Sequence, residues 1–197
     1  MAGIPKDELK RKAFHLLSLI YVFGYWYLDK TIVIWGLAAA IAVVGLLELL
    51  RFNVPKFNDF FCNNFKGFYR PDEAKKVSGL LGTLSGALIA ILLFSNKYMV
   101  FASFLYLSFG DSSAALVGKT IGKHKTFFGK SLEGSLACFI ACLICGLFIF
   151  NWKFALLGAV IATAVEALPW KINDNFWMQI INAAVLTFFS GVIIWAK

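Results

Sequence analysis

Seven stretches of this chain are apolar over roughly the length of a bilayer core: near 12–28, 31–50, 77–95, 98–117, 132–150, 152–168 and 176–196. About 20 apolar residues in a helix cross the hydrocarbon layer, and a backbone there must satisfy its own polar groups. The pattern predicts an all-α, polytopic membrane bundle of about seven transmembrane helices. Composition agrees, because 60% hydrophobic residues exceed what a soluble domain of 197 residues carries. No repeat, low-complexity tract or linker divides the chain, so 1–197 reads as a single domain. The first segment is no cleaved leader, since Tyr25, Trp26 and Tyr27 stand where small residues would be needed. Cys138, Cys142 and Cys145 fall at helical spacing inside an apolar run and read as small packing residues, while Cys62 stands alone in a loop.

Charge sets the orientation. If the helices alternate, fifteen of the 19 basic residues fall in the N-terminus, 51–76, 118–131 and 169–175, and only Lys30, Lys97, Lys153 and Lys197 fall opposite. The positive-inside rule then puts the N-terminus and the long loops in the cytoplasm. Glu48, Asp111, Glu133, Glu166 and Asp174 gather on that same face. Orientation depends little on acids, so their position asks for another reason. A face holding both signs of charge at membrane depth points to function.

The polar break at 110–134 is the strongest signal. It carries Asp111, Gly118, Lys119, Gly122, Lys123, His124, Lys125, Lys130, Ser131, Glu133 and Gly134. Lysines and glycine-exposed amides suit phosphates, and carboxylates suit the magnesium that accompanies them. The fifth apolar helix begins here, where Ser131 is placed to cap it and its first amides face anions. No strand precedes Gly129-Lys130-Ser131 and the upstream glycine of a Walker loop is missing. Too few lysines are present, on a face turned to the bilayer, for a nucleic-acid partner.

Other polar residues sit at the same level. Glu8, Arg11, Lys12 and His15 fall on one helical stripe, with an ion pair and snorkelling as the plainer reading for Glu8. Glu48 and Arg51 end the second segment three residues apart, as an ion pair or as a support for the active face. The phenylalanines at 52, 57, 60, 61, 65 and 68 suggest an amphipathic interfacial segment and a lipid entry wall. Glu166 closes a long apolar run, and Asp174-Asn175 precede the last helix as a cap or a further polar corner.

Taken in order, Glu8, Arg11, Lys12 and His15, Glu48 with Arg51, Gly110-Asp111 through Gly122-Lys123, Lys130-Ser131-x-Glu133-Gly134 and Asp174-Asn175 resemble the polyprenol kinase family over about residues 8–180. That family includes dolichol kinase, phytol kinase and CTP-dependent diacylglycerol kinase. The stretch from Arg51 to Asn58 and the corner at Asn173 to Phe176 look most like the diacylglycerol kinase branch. The resemblance implies CTP as phosphoryl donor, Mg2+ as cofactor and a membrane lipid alcohol as acceptor. It implies catalytic roles for Asp111, Arg11, Lys12 and His15, with Lys119, Lys123, Lys130, Ser131 and the glycines at 118, 122 and 134 around the nucleotide. Glu133 is placed there too, and Asp111, Glu133 and Glu48 are the expected metal ligands. The inner membrane of a bacterium or the endoplasmic reticulum fits, with the site facing the cytoplasm. The lysine-glycine run is also similar to the signature of phosphatidate cytidylyltransferases, although about 60 residues follow it here. A transporter or scaffold is a further alternative, and a homo-oligomer is compatible with the sequence.

Overall fold

The computed structural model describes residues 6–64, 76–126, 128–170 and 174–192. Its order is α1 (Lys6–His15), a tight 3₁₀ turn (Leu16–Ser18), α2 (Leu19–Tyr27), α3 (Lys30–Asn53), α4 (Pro55–Asn64), α5 (Gly79–Leu93), α6 (Lys97–Leu105), a wide π-helical turn (Tyr106–Asp111), α7 (Ser112–Thr120), α8 (Leu132–Ile149), α9 (Trp152–Ala167) and α10 (Asp174–Val192). Among the described residues the regular structure is helical, apart from one isolated bridge between Lys125 and Ser131. Each expected apolar run is helical over its described residues, which for the last run end at Val192. The first helix is already wound at Lys6, six residues before its apolar run. Lys66, Arg70, Lys75 and Lys171, part of the charge count, and Phe65 and Phe68 of the interfacial segment lie outside the described residues. So do the side chains of Glu8 and Cys62.

Three helices are long and apolar enough to cross a membrane: Lys30–Asn53, Lys97–Thr120 and Leu132–Ile149. Burial separates them. The central one, Lys97–Thr120, has 61% of its apolar window buried inside the protein, against 17% and 22% for the other two. Its partners pack on both sides. One core joins it to α8, α9 and α10 through Met99, Tyr106, Cys138, Cys142, Phe154 and Leu186. The other joins it to α2, α3 and α5 through Val22, Leu37, Ala87, Val100, Phe101 and Phe104. The apolar residues left outside, among them Ile20, Trp35, Val43, Phe148 and Phe188, form a periphery suited to lipid and not to water.

Local chemistry starts four of the helices. Ser78, Asn96, Ser131 and Asn151 each stand in extended backbone at an N-cap and accept a bond from an amide in the first turn. Small residues then let helices close. Gly146 of α8 and Gly158 of α9 leave room for the Tyr106 ring, and Ala155, Ala159 and Ala162 bury the facing stripe of α9. Cys138 and Cys142 lie 4.0 Å apart at their sulfurs against Gly110, which is the packing role their spacing suggests.

Candidate active site

Asp111 ends the π-helical turn in the middle of the central helix. A π turn adds a residue to the winding, so it rotates everything after it relative to the buried face before it, and such turns recur at functional sites. Here the carboxylate meets the first helix. Lys12 donates from Nζ to Asp111 Oδ2, and both side chains are buried, Lys12 at 4% exposure. His15, one turn on, brings Nε2 to 3.7 Å from the same oxygen. That nitrogen is buried and has no hydrogen-bond partner.

A hairpin between α7 and α8 forms the next wall. Leu132 donates to the His124 carbonyl, Thr126 to that of Lys130, and Gly129 turns with a φ of 81° that a side chain would resist. Ser131 caps α8 by accepting from the Gly134 amide at 3.1 Å. The glycines act by absence. A Cβ on Gly134 would stand 2.7 Å from the Ala114 carbonyl, one on Gly118 would stand 2.8 Å from Ser131 Oγ, and one on Gly122 would strike the Gly118 carbonyl. Their role in the structure is therefore close approach of α7, α8 and the loop, and the Gly134 amide is already used by the cap.

This closure carries Lys130 across to α9. Its Nζ donates to Glu166 Oε1 at 2.6 Å and also to the Glu166 carbonyl, so the lysine doubles as a cap on the end of α9. Glu166 is 6% exposed, and its second oxygen, Oε2, is buried without a partner. Asp111 and Asp174 lie within electrostatic range of Glu166, and Lys130 lies within range of Asp111. Asp174 opens α10, accepts from the Asn175 amide at 3.1 Å, and also reaches His15 electrostatically. Two pairs are thus built side by side, Lys12 with Asp111 between α1 and the central helix and Lys130 with Glu166 between the loop and α9, with His15 and Asp174 within electrostatic range.

Other expected residues are elsewhere. Arg11 is half-buried one residue before Lys12, about 100° around the helix. Lys119 and Lys123 are exposed on the rim. Glu48 bonds Arg51 at 2.6 Å, and Arg51 reaches on to the Lys76 carbonyl at 2.7 Å and to Asn58. That cluster ties the end of α3 to the start of the α5 segment. Glu133 accepts from His124 Nδ1 at 2.7 Å and from the His124 amide, closing the hairpin. Among the described residues no three His, Cys, Asp or Glu side chains converge as a metal cage. Sequence reasoning missed the polar contacts below the site: Ser18 with Ser108, and Tyr21 with Gln179. The available signal was a set of uncharged polar residues inside apolar runs, close to His15, Asp111 and Asn175.

No family model matches the chain, and no solved structure matches it. Curated proteins do. It is 28% identical over 222 residues to CTP-dependent diacylglycerol kinase 1 of Saccharomyces cerevisiae, covering 94% of this chain and 76% of that protein. It is 32% identical over 212 residues to CTP-dependent diacylglycerol kinase 1 of Eremothecium gossypii, covering 91% and 66%. An uncharacterised protein of Rickettsia prowazekii is 28% identical over 198 residues, covering 94% and 96%. With these relatives aligned over most of its length, the chain belongs to the polyprenol kinase family, on the branch of the CTP-dependent diacylglycerol kinases.

Proposed function

We propose that this protein transfers the γ-phosphate of CTP to the hydroxyl of a membrane lipid alcohol, diacylglycerol first, at the cytoplasmic face of a seven-span bundle. The supporting observation is two ion pairs with buried carboxylates, Lys12 with Asp111 and Lys130 with Glu166, within electrostatic range of each other where apolar helices give way to a lysine-rich hairpin. In the reaction the lipid oxygen bonds to the γ-phosphorus while the bond to the bridging oxygen breaks. CDP departs with that electron pair, and the hydroxyl proton passes to the paired Asp111 and His15. Lys12 and Arg11 offset charge that develops in transfer, and Lys119, Lys123 and Lys130 hold the phosphate tail. Gly118, Gly122, Gly134 and the Ser131 cap keep the hairpin close enough for those lysines to reach.

The donor set suits magnesium. Mg2+ is commonly held by one or two carboxylates plus substrate phosphates, so it needs no three-residue cage. Asp111 and the partnerless Oε2 of Glu166 are such donors; Glu133 and Glu48, the other expected ligands, are engaged by His124 and Arg51. Bound there, the ion would neutralise phosphate oxygens. The testing experiment supplies purified protein with labelled CTP or ATP and a panel of diacylglycerol, polyprenol and phytol. Label transferred from CTP to diacylglycerol with release of CDP is the expected result. Release of pyrophosphate from phosphatidate would make it a cytidylyltransferase, and solute flux without nucleotide turnover would make it a transporter.

A further inference from the structure

One turn deeper than the contact between Lys12 and Asp111, the same two helices are joined again. Ser18 and Ser108 bring their hydroxyl oxygens to 2.8 Å, and both side chains are buried. Ser108 also donates to the Phe104 carbonyl at 2.9 Å, which leaves Ser18 as the donor between the two serines. A bond from a helical serine to the carbonyl four residues back is a common habit. A second bond across to another helix is an addition to that habit.

The partners are the two irregular turns of the fold. Ser18 closes the 3₁₀ turn, in which residues three apart eclipse, so it lies directly under His15. Ser108 lies inside the π-helical turn that ends at Asp111. An overwound turn therefore faces an underwound one, and each sets the direction of a site residue above it, His15 or Asp111. The polar string goes on from there. Tyr21 neighbours Ser18 and donates to Gln179 Oε1 at 3.0 Å. Gln179 Nε2 donates to the carbonyls of Thr83 and Asn175 at 2.8 and 3.1 Å. The string forms a floor beneath the site, linking the 3₁₀ turn and α2 to the central helix, α5 and α10.

The hydrogens of this floor are consumed within the protein. It has no spare donor to offer a ligand, which favours a positioning role over a binding one. We propose that Ser18 and Ser108 are positioning residues: their hydrogen bond locks the 3₁₀ turn against the π-helical turn and fixes the register at which Lys12 and His15 meet Asp111. The consequence for turnover rests on the kinase reading; the structural claim does not.

The experiment compares the full chain in lipid nanodiscs with Ser18→Ala, Ser108→Ala and the double variant. Lysine acetylation rates are read by mass spectrometry, and lipid phosphorylation is assayed in parallel. The double variant leaves no orphaned hydroxyl, so it keeps the question open should a single variant fail to fold. Expected is acetylation of Lys12 accelerated about fivefold in each variant, with distant Lys153 unchanged. The kcat should fall about tenfold or more with the KM for CTP nearly kept, since misplacing reacting groups costs rate more than binding. The double variant should be no worse than either single. Unchanged Lys12 labelling and turnover would overturn the proposal, and so would equal acceleration at Lys12 and Lys153, which marks general loosening. A wild-type protein that phosphorylates no lipid would sink the kinase reading alone, with Lys12 labelling still deciding the role of the serines.

Discussion

Asp111→Ala separates what the buried ion pair does for the fold from what it does for chemistry. In the variant, the Lys12 ammonium, 4% exposed, loses the carboxylate that Lys12 pairs with. Breaking a buried pair from one side costs about 3–5 kcal/mol, because an uncompensated charge stays behind. At roughly 2–4 °C per kcal/mol for a chain of this size, thermal stability should fall by about 10 °C. Lys12→Ala should do the same from the other side. Removing both at once leaves no lone charge, so Lys12→Ala/Asp111→Ala should recover most of the loss. Turnover behaves differently: each single variant and the double should lose about 10²–10³ in rate, or 3–4 kcal/mol of barrier. Fluorescence-detected gel filtration after heating reads the first quantity, and CTP-dependent lipid phosphorylation reads the second. Near wild-type turnover in Asp111→Ala would remove that residue from the chemistry. Stability losses that simply add in the double variant would show that the two side chains are not coupled.

Three other expectations follow from the packing. Gly110→Ala would put a Cβ 2.6 Å from Cys142 Sγ and should lower stability by about 1–3 kcal/mol, with Cys142→Ala as the compensating change in a thermal assay. Arg51→Ala removes the bonds of Arg51 to buried Glu48 and to the Lys76 carbonyl, so stability should fall by about 3 kcal/mol in a thermal assay. Glu133→Gln keeps an oxygen that accepts from the His124 amide, so most lipid phosphorylation should survive; a loss of 10² or more would instead mark Glu133 as a ligand of the reacting groups.

The helices were readable because apolar runs are local and long, and the caps at Ser131 and the packing of Cys138 and Cys142 followed from residue type and spacing. Pairings across the fold were harder. Lys130 and Glu166 stand out separately in the sequence, but 36 residues and two helices separate them, and only packing shows that one holds the other. Glu133 and Glu48 are the opposite case. Grouped with Asp111 by charge and level, each is held by a partner close by in sequence, His124 and Arg51, because a local pair forms at little entropic cost. The 3₁₀ and π-helical turns left no mark in periodicity, since they adjust winding by a residue to satisfy contacts between helices. Ser18, Ser108 and Gln179 were passed over for the same reason: in an apolar run a single hydroxyl or amide gains meaning only from what it faces.

The balance of charge at the site makes the metal dependence testable. Lys12 pairs with Asp111 and Lys130 with Glu166, and His15 and Asp174 lie within electrostatic range of those pairs. Carboxylates are therefore in place before any nucleotide arrives. A triphosphate is strongly anionic as well, and like charges in a poorly hydrated site repel strongly. On the proposed reading, two things make entry favourable: the rim lysines Lys119 and Lys123 turning inward, and a divalent cation between phosphate and carboxylate. Chelation of divalent ions should therefore weaken CTP binding itself, not only transfer, and Glu166→Gln, which removes one buried negative charge, should narrow the gap between CTP affinity with and without magnesium. Titration calorimetry with CTP in the absence of lipid acceptor measures both. Equal affinity with magnesium and with chelator would mean that the carboxylates are not shared with the nucleotide, and would move its phosphates away from Asp111 and Glu166.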